Sequence, residues 1–312
     1  MCLRGIPFWK LLNFGLKYSY NQSHKKEIHF FEKEIDIFPK KRYPTETNKL
    51  TVQLARPAMK KVTVISLFLI LIVSIVSAQT VEEYLTKGNE AFEAFDNVAA
   101  LKAYKAAVAL DSSNCEALWK TARAHIDVGE NAEEDIQKLN YYSAEKVSRK
   151  AVAVCPDNDM AHLELAVSVG RVALMEGGKK KVELSREVKS EALKALELNP
   201  NNDIAHHVLA RWNREVSNLS WVLKKFAKVL YGGLPEASNE KAVEHFSKAA
   251  EIDPSFLNHH LELGITYENM KEWAKAKECY DKVIEQPATD SDDGDHKAEA
   301  KKRLEKVAKK LD

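Results

Sequence analysis

Six side chains have the types and the spacing expected of a surface that binds carboxylates. Residues four apart on a helix share one face, and the arginine guanidinium binds a carboxylate through two parallel hydrogen bonds. Arg123 follows Trp119 by four residues, and Arg211 follows His207 by four. We therefore predict a groove that binds a protein or peptide partner, acidic in character. Its predicted lining is Trp119, Arg123, Arg171, His207, Arg211 and Arg214.

The same arginines have a second interpretation, which the sequence leaves open. Each of them could pair with a glutamate of a neighbouring pair of helices and so serve the fold alone. Two tryptophans carry a similar alternative. We predict that Trp212 and Trp221 pack in the core, whereas the functional alternative is an exposed aromatic anchor for a partner.

Catalytic and metal-binding patterns are weak in this sequence. His162, His206 and His260 recur at corresponding places, but helix packing would hold them ~10 Å apart, too far for one ion with bonds of ~2 Å. We expect packing histidines. No serine or cysteine has a histidine at a known catalytic spacing. The prediction is a non-enzymatic protein without cofactor or metal, and the alternative is a metal-binding or catalytic protein built on the repeat.

Three cysteines lie in the folded part of the chain. Cys115 opens one predicted helix, and Cys155 closes the next. We expect Cys115, Cys155 and Cys279 to be buried thiols. A disulfide between Cys115 and Cys155 is the alternative, because the ends of paired helices lie close together.

The overall charge argues against a nucleic-acid partner. The 312 residues contain 47 Lys+Arg and 46 Asp+Glu, with a formal net charge of +1. Residues 79–312 are mildly acidic, with 34 Lys+Arg against 41 Asp+Glu. A hydrophobic fraction of 45% and a charged fraction of 30% indicate a globular, helix-rich domain.

The elements that must position these side chains are repeated helical hairpins. Alanine-rich helical stretches end at Pro156, Pro200, Pro254 and Pro287. Residues 85–114 align with residues 261–290, so that Gly88 matches Gly264 and Tyr104 matches Tyr280. This pattern is typical of tetratricopeptide repeats. We predict an all-α, right-handed α-solenoid of about five hairpins (81–113, 114–156, 157–200, 201–254 and 255–288) with a C-terminal capping helix from His296 to Leu311.

The N-terminal part has a different character. Met59-Lys60-Lys61 precedes an uncharged apolar run, residues 62–78, which ends in small residues as a signal peptide does. We predict three segments: an extension at 1–58 that is disordered or a start-site artefact, a signal peptide or membrane anchor at 59–78, and the repeat domain at 79–312. Export to the periplasm or the exterior after cleavage near Ala78 is expected; the alternative is anchoring by residues 62–78, the only predicted membrane contact.

Residues of about 115–310 resemble the regulator of microtubule dynamics family. The resemblance rests on LWKTARAHIDV (118–128), HLELAVSVGRVALMEG (162–177) and above all LARWNREVSNLSWVLKKFAKVLYG (209–232). Ala210 stands where the family usually has glycine. The resemblance implies a tetratricopeptide-like fold and association with microtubules. Our main prediction is nevertheless an exported scaffold that binds its partner in the groove, and a cytoskeletal regulator facing the cytosol is the alternative.

Overall fold

The computed structural model describes residues 79–311 apart from 131, 232, 234, 235, 290 and 291. Twelve α-helices make up this part of the chain. In chain order they are α1 (Val81–Glu93), α2 (Asn97–Leu110), α3 (Cys115–Glu130), α4 (Glu134–Val154), α5 (Asp159–Met175), α6 (Gly178–Leu198), α7 (Asp203–Ser217), α8 (Trp221–Tyr231), α9 (Asn239–Ile252), α10 (Leu257–Asn269), α11 (Trp273–Glu285) and α12 (Asp293–Leu311).

Five hairpins and a capping helix are confirmed. The pairs are α1–α2, α3–α4, α5–α6, α7–α9 and α10–α11, and α12 packs on α11 and α10. The first helices α3, α5, α7 and α10 also contact their successors, so they form the inner layer of a solenoid. We call the exposed side of the first helices α1, α3, α5, α7 and α10 the concave surface.

The helix starts are fixed by side chains that cap free backbone amides. The amide of Ala161 donates to Asn158 Oδ1, and that of Ala205 donates to Asn202 Oδ1, each at 2.9 Å. At the first helix, Thr80 and Glu83 form a reciprocal capping box. The two asparagine caps follow the loops that end the second and third hairpins, so the same capping contact recurs at corresponding positions of the repeat.

Glycine and tyrosine set the spacing within two hairpins, as the sequence alignment predicts. A Cβ atom at Gly88 would lie 2.3 Å from Tyr104 Cε1, and one at Gly264 would lie 2.6 Å from Tyr280 Cε1. Both distances are shorter than real Cβ contacts, so only glycine lets the tyrosine ring pack this close to the first helix.

The residues that lengthen the middle hairpins are helical. From the sequence, the extra residues of the middle three hairpins fall at 130–141, 172–187 and 217–238, and we expect them between the two helices of each pair. Instead, α4 and α6 are each 21 residues long and absorb most of the first two stretches. Both segments are rich in good helix formers, which favours extending a helix over forming a loop. Among the described hairpins, only the fourth contains a true insertion, which folds into the separate helix α8. Asn218 is the C-cap of α7, and α8 begins three residues later at Trp221.

Two of the three domain cysteines form a disulfide. Cys115, the first residue of α3, is bonded to Cys155, the residue after α4. The expectation of buried thiols is wrong for this pair, because the two helix ends bring the Cα atoms to 6.1 Å. Cys279 is a buried free thiol, as expected.

The predictions for residues 1–58 and 59–78 lie outside the described part of the chain. Across the helices that are described, none combines the length and the apolar character needed to cross a bilayer.

Candidate functional site

Three of the six predicted groove residues come together around one cavity. Arg171 of α5 and His207 and Arg211 of α7 line a space of about 280 Å³ between α5, α6 and α7. Most of the remaining lining is apolar and includes Val167, Val208, Leu174 and Trp212. The Trp212 indole is buried as predicted, and its Nε1 donates to the Ser185 carbonyl at 2.7 Å. The arrangement offers an apolar hollow with two guanidinium groups in its wall.

Trp119 and Arg123 line a different cavity, nearer the start of the solenoid. It measures about 280 Å³ and also includes Asn89 and Phe92 of α1. The Arg123 guanidinium carbon lies 4.1 Å from the centroid of the Phe92 ring, a cation–π contact. Five of the six predicted groove residues are therefore divided between two cavities, and Arg214 lines neither of them.

Two arginines on the concave surface pair with glutamates of neighbouring hairpins. Arg171 pairs with Glu130 at the end of α3. Arg211 Nε lies 3.7 Å from Glu262 Oε1 on α10. These are the structural ion pairs of the second interpretation. Arg211 keeps 36% of its side chain exposed, so its weak pair leaves it accessible to a ligand.

Arg214 lies beneath the surface. Its guanidinium pairs with the Glu262 carboxylate, donates to the Glu262 carbonyl at 3.1 Å, and is only 6% exposed. Burial alone would raise the pKa of Glu262, but Arg211 and Arg214 together hold it below its usual value. Arg214 thus joins α7 to α10.

His207 is also buried, within a chain of hydrogen bonds. His207 Nδ1 lies 2.9 Å from His259 Nδ1, and His259 Nε2 lies 3.0 Å from Asp203 Oδ2. Burial, followed by the effects of His259 and Arg211, lowers the pKa of His207 well below 6.5. A neutral His207 can donate its Nδ1 proton to His259, which in turn donates from Nε2 to Asp203. These contacts fix α7 on α10.

Two buried glutamates lie beside the arginines and were not predicted from the sequence. Glu164 on α5 is 4% exposed, and Glu262 on α10 is 8% exposed. Burial raises the pKa of Glu164 to about 8, although the charge of Arg123 opposes the shift. Both glutamates precede by two residues the small residue of their helix, Ala166 or Gly264. That shared repeat position is the signal that would have identified them.

Asp292, in the loop before α12, lies beside Glu130. Burial raises the pKa of Glu130, and Asp292, which also hydrogen-bonds to Glu130, raises it further, while Arg171 acts in the opposite direction. An aspartate from the end of the chain thus lies beside the Glu130–Arg171 pair.

The predicted histidine row has structural partners. His162 lies between the Pro156 carbonyl and the Glu191 carboxylate, at 2.8 and 2.6 Å. His206 lies 3.1 Å from the Pro200 carbonyl and 3.0 Å from His245 Nδ1. Among the residues that the structure describes, no three His, Cys, Asp or Glu side chains are grouped to hold a metal ion.

Comparison with known proteins gives consistent relatives. The chain is 30% identical to regulator of microtubule dynamics protein 1 of Bos taurus over 197 residues, which is 62% of this chain and 62% of that relative. It is 36% identical to regulator of microtubule dynamics protein 3 of Rattus norvegicus over 140 residues, 45% of this chain and 30% of that one. The chain spans less than two thirds of the length of these relatives.

The relatives correct the predicted localisation. They are named for microtubules, which lie inside the cell. The prediction that the domain is exported after cleavage near Ala78, which rests on residues 62–78 alone, is therefore wrong.

Fold and family agree. A thermophilic tetratricopeptide-repeat protein of Thermus thermophilus superimposes with a TM-score of 0.54 at 18% identity, covering 71% of this chain and 98% of that one. At that identity the likeness concerns the fold alone. The sequence model of the family described as regulator of microtubule dynamics protein 1-3 matches residues 81–308. The chain therefore belongs to the regulator of microtubule dynamics family, with a tetratricopeptide-like solenoid as its folded domain.

Proposed function

We propose that this protein is a non-catalytic regulator of microtubule dynamics that binds an acidic partner segment on its concave surface. The observation that carries the proposal is the position of Arg171 and Arg211 in the wall of one apolar cavity. Two guanidinium groups suit carboxylates, and the hollow between them suits an apolar side chain. The partner segment would carry both.

The remaining predicted residues have different parts in this proposal. Trp119 and Arg123 extend the binding surface at the second cavity. His207, which lines the first cavity, and the buried Arg214 hold α7 against α10, so they position Arg211.

Co-sedimentation of the full chain with polymerised tubulin tests the proposal. The variant R171A/R211A removes both accessible guanidinium groups. Its matched control is R149A/K194A, which removes two positive charges from α4 and α6, the second helices of their hairpins. We expect the first variant to bind microtubules roughly 30- to 150-fold more weakly, given ~1–1.5 kcal/mol for each of the two lost charge-assisted contacts. The control should stay within about twofold of the unmodified chain.

The two parts of the proposal fail in different ways. If the unmodified chain does not sediment with microtubules, direct microtubule binding is refuted. If it sediments and R171A/R211A binds equally well, the concave surface is not the docking site. Circular dichroism of both variants establishes that the solenoid is folded.

A further inference from the structure

Helix α8 is the one inserted element among the described hairpins, and its exposed face is unusual. Trp221 is 67% exposed, Val222 is 61% exposed and Val229 is 82% exposed. The prediction that Trp221 packs in the core is therefore wrong. The hairpin α7–α9 pairs without α8, which contacts α6 and buries Ala227. The exposed side of α8 is thus not required to close the repeat.

Lysines share that exposed face. Trp221, Lys225 and Val229 are four residues apart and lie along one line of the helix. Lys224 and Lys228 flank Trp221 at three and seven residues and are also exposed. Lys225 Nζ lies 4.2 Å from the centroid of the Trp221 ring, and Lys224 Nζ donates to the Ser217 carbonyl at 2.7 Å. Lys225 therefore lies over the exposed indole, and Lys224 and Lys228 add two further exposed positive charges to the same helix.

Negative charge is absent from the sequence around α8. Between Glu215 and Glu236 there is no aspartate or glutamate, although residues 79–312 as a whole carry more acidic than basic residues. An anionic surface attracts such a segment and repels the rest of the domain, because the rest carries a net negative charge.

We propose that α8 is a membrane-surface contact, in which Trp221, Val222 and Val229 enter the interface of an anionic bilayer and Lys224, Lys225 and Lys228 bind its headgroups. An interfacial helix buries aromatic and aliphatic side chains at the acyl boundary and uses lysines to bind the headgroups. The long lysine stems of α8 can reach the headgroups from beside Trp221 and Val229. A peptide partner would need a groove, and neither cavity of the concave surface is lined by α8. This contact is additional to any made by residues 62–78 and independent of the concave surface.

Brominated phosphatidylcholine in vesicles containing 30% phosphatidylserine tests the position of Trp221, because bromine quenches only indoles that enter the bilayer. We expect the full chain to show quenching that W221F loses, with binding retained. W273F, which removes a partly buried tryptophan of α11, should keep the quenching. Equal quenching in the unmodified chain and W221F would overturn the proposal, since another tryptophan would then be the inserted one.

The lysines are tested by vesicle flotation. The variant K224Q/K225Q/K228Q should bind phosphatidylserine vesicles about 100-fold more weakly, from ~1 kcal/mol for each lysine at an anionic surface. K275Q/K277Q/K282Q removes three exposed charges from α11 and should bind as the unmodified chain does. The uncharged residues 62–78 contribute equally to all these variants. Equal binding of vesicles by the two lysine variants would overturn the proposal. This is also the result expected if α8 binds an acidic protein and not a membrane.

Discussion

At the scale of single residues, the arginines on and beneath the concave surface pair with glutamates of neighbouring hairpins. Arg171 is paired with Glu130, and Arg211 and Arg214 share Glu262. The buried pair of Arg214 would leave a strongly desolvated charge if either partner were lost. Arg211, with its longer contact, can exchange its glutamate for a ligand at little cost.

Replacing Gly264 by alanine should destabilise the fifth hairpin. The added Cβ would lie 2.6 and 2.9 Å from two Tyr280 ring atoms, so the ring or the helix must move. We expect a loss of about 1–3 kcal/mol in the free energy of unfolding, measured by denaturant titration.

Gly170 provides the matched control. A Cβ there would meet only Val188 Cγ2, at 3.7 Å, so G170A should stabilise helix α5 by about 0.5–1 kcal/mol. If G170A and G264A lower the free energy of unfolding by similar amounts, close packing against Tyr280 is not the reason that Gly264 is required.

Glu164 should make the stability depend on pH. Its pKa is raised from 4.5 to about 8 in the fold, so the folded chain keeps a proton that the unfolded chain releases. The resulting stabilisation is complete below about pH 4.5 and is lost as the pH rises towards 8. In E164Q, the fall in the free energy of unfolding between pH 6 and pH 8.5 should be smaller by roughly 2 kcal/mol.

Glu183 is the control for that experiment, because its side chain is 55% exposed. E183Q should retain the pH dependence of the unmodified chain. If the free energy of unfolding falls as steeply between pH 6 and pH 8.5 in E164Q as in E183Q, Glu164 is ionised in the folded state at neutral pH.

At the scale of helices and hairpins, the disulfide closes the second hairpin at its open end. It joins residues 40 positions apart and restricts the unfolded chain accordingly. Reduction, or the double variant C115S/C155S, should lower the free energy of unfolding by up to about 4 kcal/mol. The measurement is denaturant unfolding with and without dithiothreitol.

Peptide mapping after alkylation provides an independent check. Cys115 and Cys155 should resist alkylation until the protein is reduced. Alkylation of both without reductant, in chain purified from its own cells, would contradict the disulfide.

Some features of the helices and hairpins could be predicted from the sequence, and others could not. The number of hairpins and the Gly–Tyr contacts follow from local patterns such as the prolines and the Gly88/Gly264 match. The glutamate partners of the arginines do not, because Glu130 lies 41 residues before Arg171 and the pairing depends on how hairpins stack. Sequence reasoning misplaces Trp221 because apolar bulk in a repeat usually indicates the core; only the fold shows that α8 exposes it.

At the scale of the whole molecule, stability passes from each hairpin to its neighbours. The capping helix α12 buries Ala300 and Val307, and Arg303 pairs with Glu268 on α10. In such an array, a defect at one end loosens the nearest units first.

The variant V307D tests this directional coupling. Hydrogen exchange should accelerate by more than about tenfold in α10, α11 and α12, because a charge replaces a side chain that is 1% exposed. The amides of α1 and α2 should keep their protection. Uniform acceleration throughout the solenoid would show that the domain unfolds as one cooperative unit.

The disulfide also has a mechanical consequence. When the solenoid is pulled from its two ends, hairpins can peel away one after another, but the chain between Cys115 and Cys155 cannot extend. Forty residues of chain are thereby withheld, which shortens the fully stretched contour by roughly 130–145 Å. Reduction releases that length, so the redox state of one bond sets how far this protein can reach under tension between two attachment points.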